Sequence, residues 1–401
     1  MTERIVSNRR IEEVVASDWF FRVMTLFHLP VAWPAGLMGA AILALAGITG
    51  LLWWLVTHDW ATGLLAAVGL LAFFGWDTAV LQSLPRRRIS FGSWRAQFFP
   101  LALPRAFAAM ALSLVTPLTG PWWALALALL AQLAGSAALW WGAVREPARL
   151  TLTRLDVASD RLPSGTPPIR LLHISDLHVE RLGTREAQLL RLVERAQPDL
   201  IVITGDYFNT SYNRDRRTFE QVRALLGQLW APYGVYATLG TPVVDLREWA
   251  APLFEGLPIT LLREAQQTIN LGKGRRLTLL GLDCTHDLPT DAGRLARLAA
   301  ATPDNAPQAL LYHSPELMPQ AVGHGIDLYL CGHTHGGQVR LPLIGPLLTS
   351  SKLGRRYVMG SYHEGRTHLY VSRGVGLEGL SAPRVRFLAP PEITLVTMRP
   401  R

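Results

Sequence analysis

Residues 169–178 read IRLLHISDLH, a short apolar run that stops on an aspartate and a histidine two positions apart. The run suits a strand buried on both faces of a parallel sheet. Side chains two apart in an extended segment share a face, so Asp176 and His178 are aimed at one place. The same grammar returns downstream. DLIVITGD (199–206) ends on Asp206, ALLYHS (309–314) carries His313, and DLYLCGHTH (327–335) ends on His333 and His335. Between these runs, TREAQLLRLVERAQ (184–197) and RRTFEQVRALLGQLW (216–230) have helical spacing, while GVYATLG (234–240) and RLTLLGLD (276–283) add two strands. Strands alternating with helices predict a layered α/β domain. In such sheets chemistry gathers beyond the carboxyl ends of the strands. Six carboxylates and imidazoles at strand ends form a mixed oxygen and nitrogen set suited to divalent transition metals.

Ahead of this region the chain has a different character. The 401 residues carry 39 Lys and Arg against 30 Asp and Glu, a net charge of +9, yet the mean hydropathy is +0.20. Apolar and charged residues are therefore segregated: apolar runs dominate from Trp33 to Val144, and ordinary globular composition begins beyond Arg145. The proline-rich stretch LPSGTPP (162–168) marks a boundary. This predicts a membrane domain over 1–150, a linker over 151–168 and the α/β domain over 169–401.

A spanning helix needs about 20 mostly apolar residues. Four segments qualify: Ala35 to Thr57; Ala61 to Leu84, with Asp77 its only charge; Gln97 to Leu118, interrupted by Pro104 and Arg105; and Trp122 to Val144. Asp77 is costly in lipid, so it is expected to face other helices or lie near an end. Trp19 to Trp33 is too short and broken to span and reads as an interfacial or re-entrant segment. No small-residue cleavage site follows the first apolar segment, so it reads as a retained helix rather than a signal peptide. Arg4, Arg9 and Arg10 precede the first span, four arginines lie in PRRRISFGSWR between the second and third, and Arg145, Arg149 and Arg154 follow the fourth. The connections THDWA and TGP carry no Lys or Arg. The positive-inside rule then places both ends, and the α/β domain, in the cytoplasm of a bacterial-type inner or plasma membrane. Cys284 and Cys331 are too few for a disulfide framework. The basic balance is expected to meet the lipid bilayer rather than nucleic acid, since no nucleic-acid recognition motif is present.

The motifs HISDLH, ITGD and GHTHGGQVRLP resemble those of the calcineurin-like metallophosphoesterases, whose pattern is D-x-H, G-D, G-N-H-[D/E], a lone His, and G-H-x-H. The resemblance covers the chain from about Arg170 to the end, and YVSRGVG and PPEITLVTM look like the close of the membrane-associated branch. It implies an α/β/β/α two-sheet sandwich binding two divalent ions (Mn, Fe, Zn or Ni). By that resemblance Asp176, His178 and His335 serve one metal, His313 and His333 the other, and Asp206 bridges both. One motif departs: after GVYATLG the chain has Thr241, Pro242 and Val243 where the family has Asn-His-[D/E]. The family's catalytic His position is thus Pro242. Asp245, His286 and Asp287 are candidate substitutes but read as solvated loop residues. Arg340, Arg355 and Arg356 are candidates for a phosphate-binding rim.

Two functions follow from the resemblance. One is a membrane-anchored phosphoesterase acting on a phosphomonoester or phosphodiester, such as a phospholipid headgroup. The other is an impaired relative that holds metal and a phosphate-bearing ligand in a regulatory role. A transporter fits less well, because the spans hold few charges and no broken-helix repeat.

Overall fold

A computed structural model describes residues 19–89 and 92–401, which fall into two units: Arg22–Arg145 with Gly379–Val385, and Glu146–Glu378 with Arg386–Arg401. Arg4, Arg9 and Arg10 lie outside the described residues. Each unit is built on its own physical logic.

The first unit is helical. Its long helices are Ala35–Thr57, Trp60–Ser83, Trp94–Ser113 and Pro121–Trp140, within a few residues of the four expected segments. Three apolar stretches, Ala35–Thr57, Trp60–Arg87 and Pro121–Arg145, are long and apolar enough to cross a membrane. The fourth expected segment, Trp94–Ser113, forms a 20-residue helix that is less apolar than these three, since it carries Arg95, Arg105, Pro100 and Pro104. The stretch before them forms a ten-residue helix, Trp19–His28, and a turn of 3-10 helix, Leu29–Ala32, too short to span. The first two long helices meet where glycine permits it. A Cβ on Gly50 would lie 2.7 Å from the Gly63 carbonyl oxygen, and one on Gly63 the same distance from that of Gly50. Small residues at such crossings let helices approach where lipid supplies no hydrophobic drive.

Asp77 and Arg105 explain how charge is tolerated here. The Arg105 guanidinium donates Nε and Nη2 to the two Asp77 carboxylate oxygens at 2.6 and 2.7 Å. Its Nη1 reaches the Gln132 carbonyl at 2.8 Å, and Nη2 reaches Ser136 Oγ at 2.9 Å. Three helices thus share one buried, neutral polar knot. The segment Gly379–Val385, far along the chain, also belongs to this unit: Ser381 Oγ donates to the Met24 carbonyl at 2.7 Å and the Arg384 amide to Gln97 Oε1 at 2.9 Å.

The second unit is the expected sandwich. Its strands are β1 (Thr151–Ser159), β2 (Ile169–Ile174), β3 (Leu200–Ile203), β4 (Val235–Ala237), β5 (Ile259–Leu261), β6 (Ala265–Asn270), β7 (Arg276–Gly281), β8 (Gln308–Leu311), β9 (Leu328–Cys331), the short pair β10 (Arg340–Leu341) and β11 (Gly345–Pro346), β12 (Gly360–Glu364), β13 (Thr367–Val371) and β14 (Glu392–Pro400). One six-stranded sheet runs β1-β14-β2-β3-β4-β5, the other β12-β13-β9-β8-β7-β6. Leu171, Val202, Leu279, Ala309 and Leu330 pack between the sheets. Helices Thr184–Ala196 and Arg216–Leu226 cover the first sheet through Leu189, Val193, Val222 and Leu225. Helix Leu288–Ala300 covers the second through Leu295 and Leu298.

The stretch 151–168 is not wholly a linker. Its first nine residues form β1, paired in parallel with β14 from Thr151 opposite Glu392 to Ser159 opposite Pro400. Such a strand leaves little local trace, because its partner lies some 240 residues away and one face stays half-exposed.

Removing one member of a buried ion pair strands a charge and costs about 3–5 kcal/mol, whereas replacing both with apolar groups is often neutral. Arg105→Met or Asp77→Leu alone should therefore lower the unfolding temperature in detergent markedly. The double variant should recover most of the loss, as a double-mutant cycle by thermal unfolding would show.

Candidate metal centre

The loops after β2 and β3 are zipped together before any side chain is considered. The Asp176 amide donates to the Gly205 carbonyl at 3.1 Å, His178 to Asp206 at 2.9 Å and Val179 to Tyr207 at 3.0 Å. Asp245 then clamps the next loop to these. Fully buried, it accepts the amides of Asp206, Tyr207 and Gly240, each at 2.8 Å. The reading of Asp245 as a solvated loop residue is thus corrected. Burial and the nearby Asp206 carboxylate push its carboxyl up to about 6.

All six candidate ligands lie on these loops or on those after β8 and β9. Asp176, His178 and His335 present ligand atoms within 4.8 Å of one another, as do Asp176, Asp206 and His313. His333 presents a ligand atom to a third group, with His286 and Glu316, while its ring lies 5.2 Å from that of His313. The backbone is bent to achieve this. Asp176 (φ 50°), His178 (39°), Asp206 (57°), His333 (70°) and His335 (51°) all adopt left-handed φ, uncommon outside glycine. Residues held so cluster at functional sites. A close approach also demands Gly332, where a Cβ would stand 1.9 Å from Asp176 Oδ2.

Hydrogen bonds fix which ring atoms face inward. His178 Nδ1 donates to the Phe208 carbonyl at 3.1 Å and His313 Nδ1 to the Thr204 carbonyl at 2.7 Å, leaving both Nε2 lone pairs for the site. Such outer bonds orient metal-binding imidazoles. His178 Nε2 meets His335 Nε2 at 3.0 Å. On its other side His335 Nδ1 accepts from Arg386 Nη2 at 2.7 Å, and its carbonyl accepts from Nη1 at 2.8 Å. Arg386 is fully buried, and nothing in the ligand motifs points to it. At the centre Asp176 Oδ2 and His313 Nε2 are buried without a hydrogen-bond partner among the described residues. His313 Nε2 stands 3.1 Å from Asp206 Oδ2. The donor set and these orphaned atoms fit divalent metal.

The electrostatics agree. Burial raises Asp176, and it would raise Asp206 too, but the His313 and His178 imidazoles hold Asp206 below the usual carboxylate range. Burial disfavours the His313 imidazolium, yet the Asp206 carboxylate overcomes this and raises it to about 10. His333 falls to about 3 through burial and neighbouring imidazoles, and His335 falls well below its usual value through burial and Arg386. The cluster thus attracts positive charge, at His313 above all, while His333 and His335 stay neutral.

Thr241 occupies the departed motif position. Its amide donates to Asp206 Oδ1 at 2.7 Å, and its hydroxyl lies 3.2 Å from His286 Nε2. His286 is buried, which corrects the solvated reading, whereas Asp287 precedes helix Leu288–Ala300 and accepts from Thr290 Oγ1 at 2.6 Å. Arg340 Nη1 donates to the Gly336 carbonyl, Arg355 braces the carbonyls of Ile344 and Pro346, and Arg356 pairs with Glu364.

Residues 169–244 match the calcineurin-like phosphoesterase family. The chain is 33% identical over 265 residues to the uncharacterized metallophosphoesterase YkuE of Bacillus subtilis (strain 168), covering 63% of this chain and 87% of that protein. This chain belongs to the calcineurin-like metallophosphoesterases. A second relative in the family, phosphodiesterase YaeI of Escherichia coli (strain K12), is 30% identical over 235 residues, covering 58% of this chain and 82% of its own. These alignments are too short to take in the whole 401-residue metallophosphoesterase chain.

Because Gly332 touches the Asp176 carboxylate, Gly332→Ala should displace that ligand as well as overpack the loop, which costs about 1–3 kcal/mol. Bound metal per chain, measured by mass spectrometry of the purified protein, should fall below that of the parent.

Proposed function

We propose that this chain is a membrane-anchored phosphoesterase that hydrolyses a phosphate ester at a two-metal centre. The observation that carries the reading is the convergence of Asp176, His178, Asp206, His313 and His335 into two overlapping buried groups. Two divalent ions there would activate water and neutralise charge on the phosphate. The protein's own part is to hold the ligand side chains in place: Phe208 and Thr204 carbonyls turn the Nε2 atoms of His178 and His313 toward the site, Arg386 holds the His335 ring, and the Asp245 clamp holds Asp206. Asp206 Oδ2 lies 3.5 Å from His178 Nε2 and 3.1 Å from His313 Nε2, so this carboxylate would help to hold metal beside either imidazole. A phosphodiester is the favoured substrate class, in keeping with the name of the Escherichia coli relative.

The Thr241-Pro242 pair favours a slow enzyme and gives the regulatory reading its one specific support. Neither side chain can transfer a proton near neutral pH, and general acid catalysis is worth about 10²- to 10⁴-fold. Hydrolysis of a chromogenic phosphodiester should therefore be slow, require Mn²⁺ or a similar ion, and vanish in Asp206→Asn and His335→Ala together with the bound metal. Thr241→Asn with Pro242→His should raise the rate at least about tenfold. Bound metal with no turnover in parent or restored variant would favour the regulatory reading.

The phosphoesterase unit belongs on the cytoplasmic side under this proposal. Arg86, Arg87, Arg88 and Arg95 flank one connection, and Arg145 and Arg149 follow the last span, with none in the other two connections. This requires helix Trp94–Ser113 to cross as a fourth span. Its 20 residues reach about 30 Å, and Asp77 neutralises its Arg105. A fluorescent protein fused after Arg401 should glow, while a periplasm-dependent phosphatase fused there should stay inactive; the reverse would overturn the assignment.

A further inference from the structure

The family pattern gives the second ion an asparagine ligand, and this chain has Thr241 in its place. Beside that threonine stands a group of side chains that the motif reading left unused. His286, Glu316 and His333 present ligand atoms within 4.8 Å of one another. His286 Nδ1 lies 3.6 Å from Glu316 Oε2, and the rings of His286 and His333 lie 4.7 Å apart between centroids.

Each member is held in a ligand-like pose. The Glu316 oxygens accept Ser314 Oγ at 2.6 Å and the Lys352 amide at 2.9 Å, so the carboxylate is fixed. His333 Nε2 faces the Ser350 carbonyl at 3.2 Å, which keeps its proton there and leaves the Nδ1 lone pair free to bind. His286 Nε2 meets the Thr241 hydroxyl, and the Thr241 amide meets Asp206, so the imidazole fills the ground next to the shared carboxylate. His286 is also left-handed, at φ 58°, like five of the six candidate ligands. His333 connects this group to the first, its ring 5.2 Å from that of His313.

Two imidazoles and a carboxylate are a ligand set for Zn, Mn or Fe. We propose that His286 and Glu316 join His333 as ligands of the second metal ion, replacing the asparagine that Thr241 displaced. This rests on the two-metal reading above. With these ligands in place, the cost of losing the asparagine would fall on proton transfer rather than on metal retention.

The test is metal stoichiometry of the full chain in detergent, loaded with Mn²⁺ or Co²⁺ and dialysed, read by mass spectrometry and by the Co²⁺ absorption spectrum. The parent should hold two ions per chain, His286→Ala and Glu316→Gln one each, with an altered Co²⁺ spectrum. Thr241→Asn added to His286→Ala should restore the second ion, which a merely structural histidine would not show. Two ions in both single variants would overturn the proposal while leaving the two-metal reading intact. A parent that binds no metal would sink both.

Discussion

Everything at the centre of the α/β unit follows from one constraint: two carboxylates and three imidazoles are buried where water cannot neutralise them, with a fourth imidazole, His333, half-buried beside them. Buried charge is expensive unless paired, and Asp176 Oδ2 and His313 Nε2 have no partner among the described residues. The fold meets that cost with rigidity. Loops after β2 and β3 are tied by three backbone bonds, and Asp245 ties in the loop after β4 through the amides of Asp206 and Tyr207. A site held this firmly is preorganised, and the left-handed φ at five candidate ligands is the strain such loops sustain.

The helical unit answers the same constraint differently. An apolar helix bundle offers a charge little else to pair with, so Arg105 meets Asp77 with two hydrogen bonds and spends its remaining donors on Gln132 and Ser136. Around that knot the surface stays apolar, with Leu43, Leu64 and Trp123 all more than half exposed. In both units a buried ionisable group meets a partner from another element, as Arg105 meets Asp77 and Arg386 meets His335.

Thr241 and Pro242 separate metal retention from proton transfer. An oxygen or nitrogen ligand can be replaced from another loop, because a metal accepts any donor of suitable size and charge that reaches it. A proton donor must stand within hydrogen-bond reach of one leaving-group atom. The loss of the motif histidine is therefore harder to repair than the loss of the asparagine, and His286 and Glu316 bear on the second loss only.

Legible in the sequence were the change from long apolar runs to alternating strands and helices, the four strands that carry the candidate ligands, and the Asp and His residues at their ends. Buried strands and spanning helices are written in local periodicity, and Asp-x-His or His-x-His at a strand end is legible without a neighbour. Only the tertiary structure decided that 151–159 is a strand, that Asp245 is a clamp, that Gly379–Val385 belongs with the helices, and that His286 and Glu316 stand against His333. The reason is physical. Those features depend on contacts between residues distant in the chain, and a carboxylate or imidazole on a loop reads as solvated until its partners are seen to bury it.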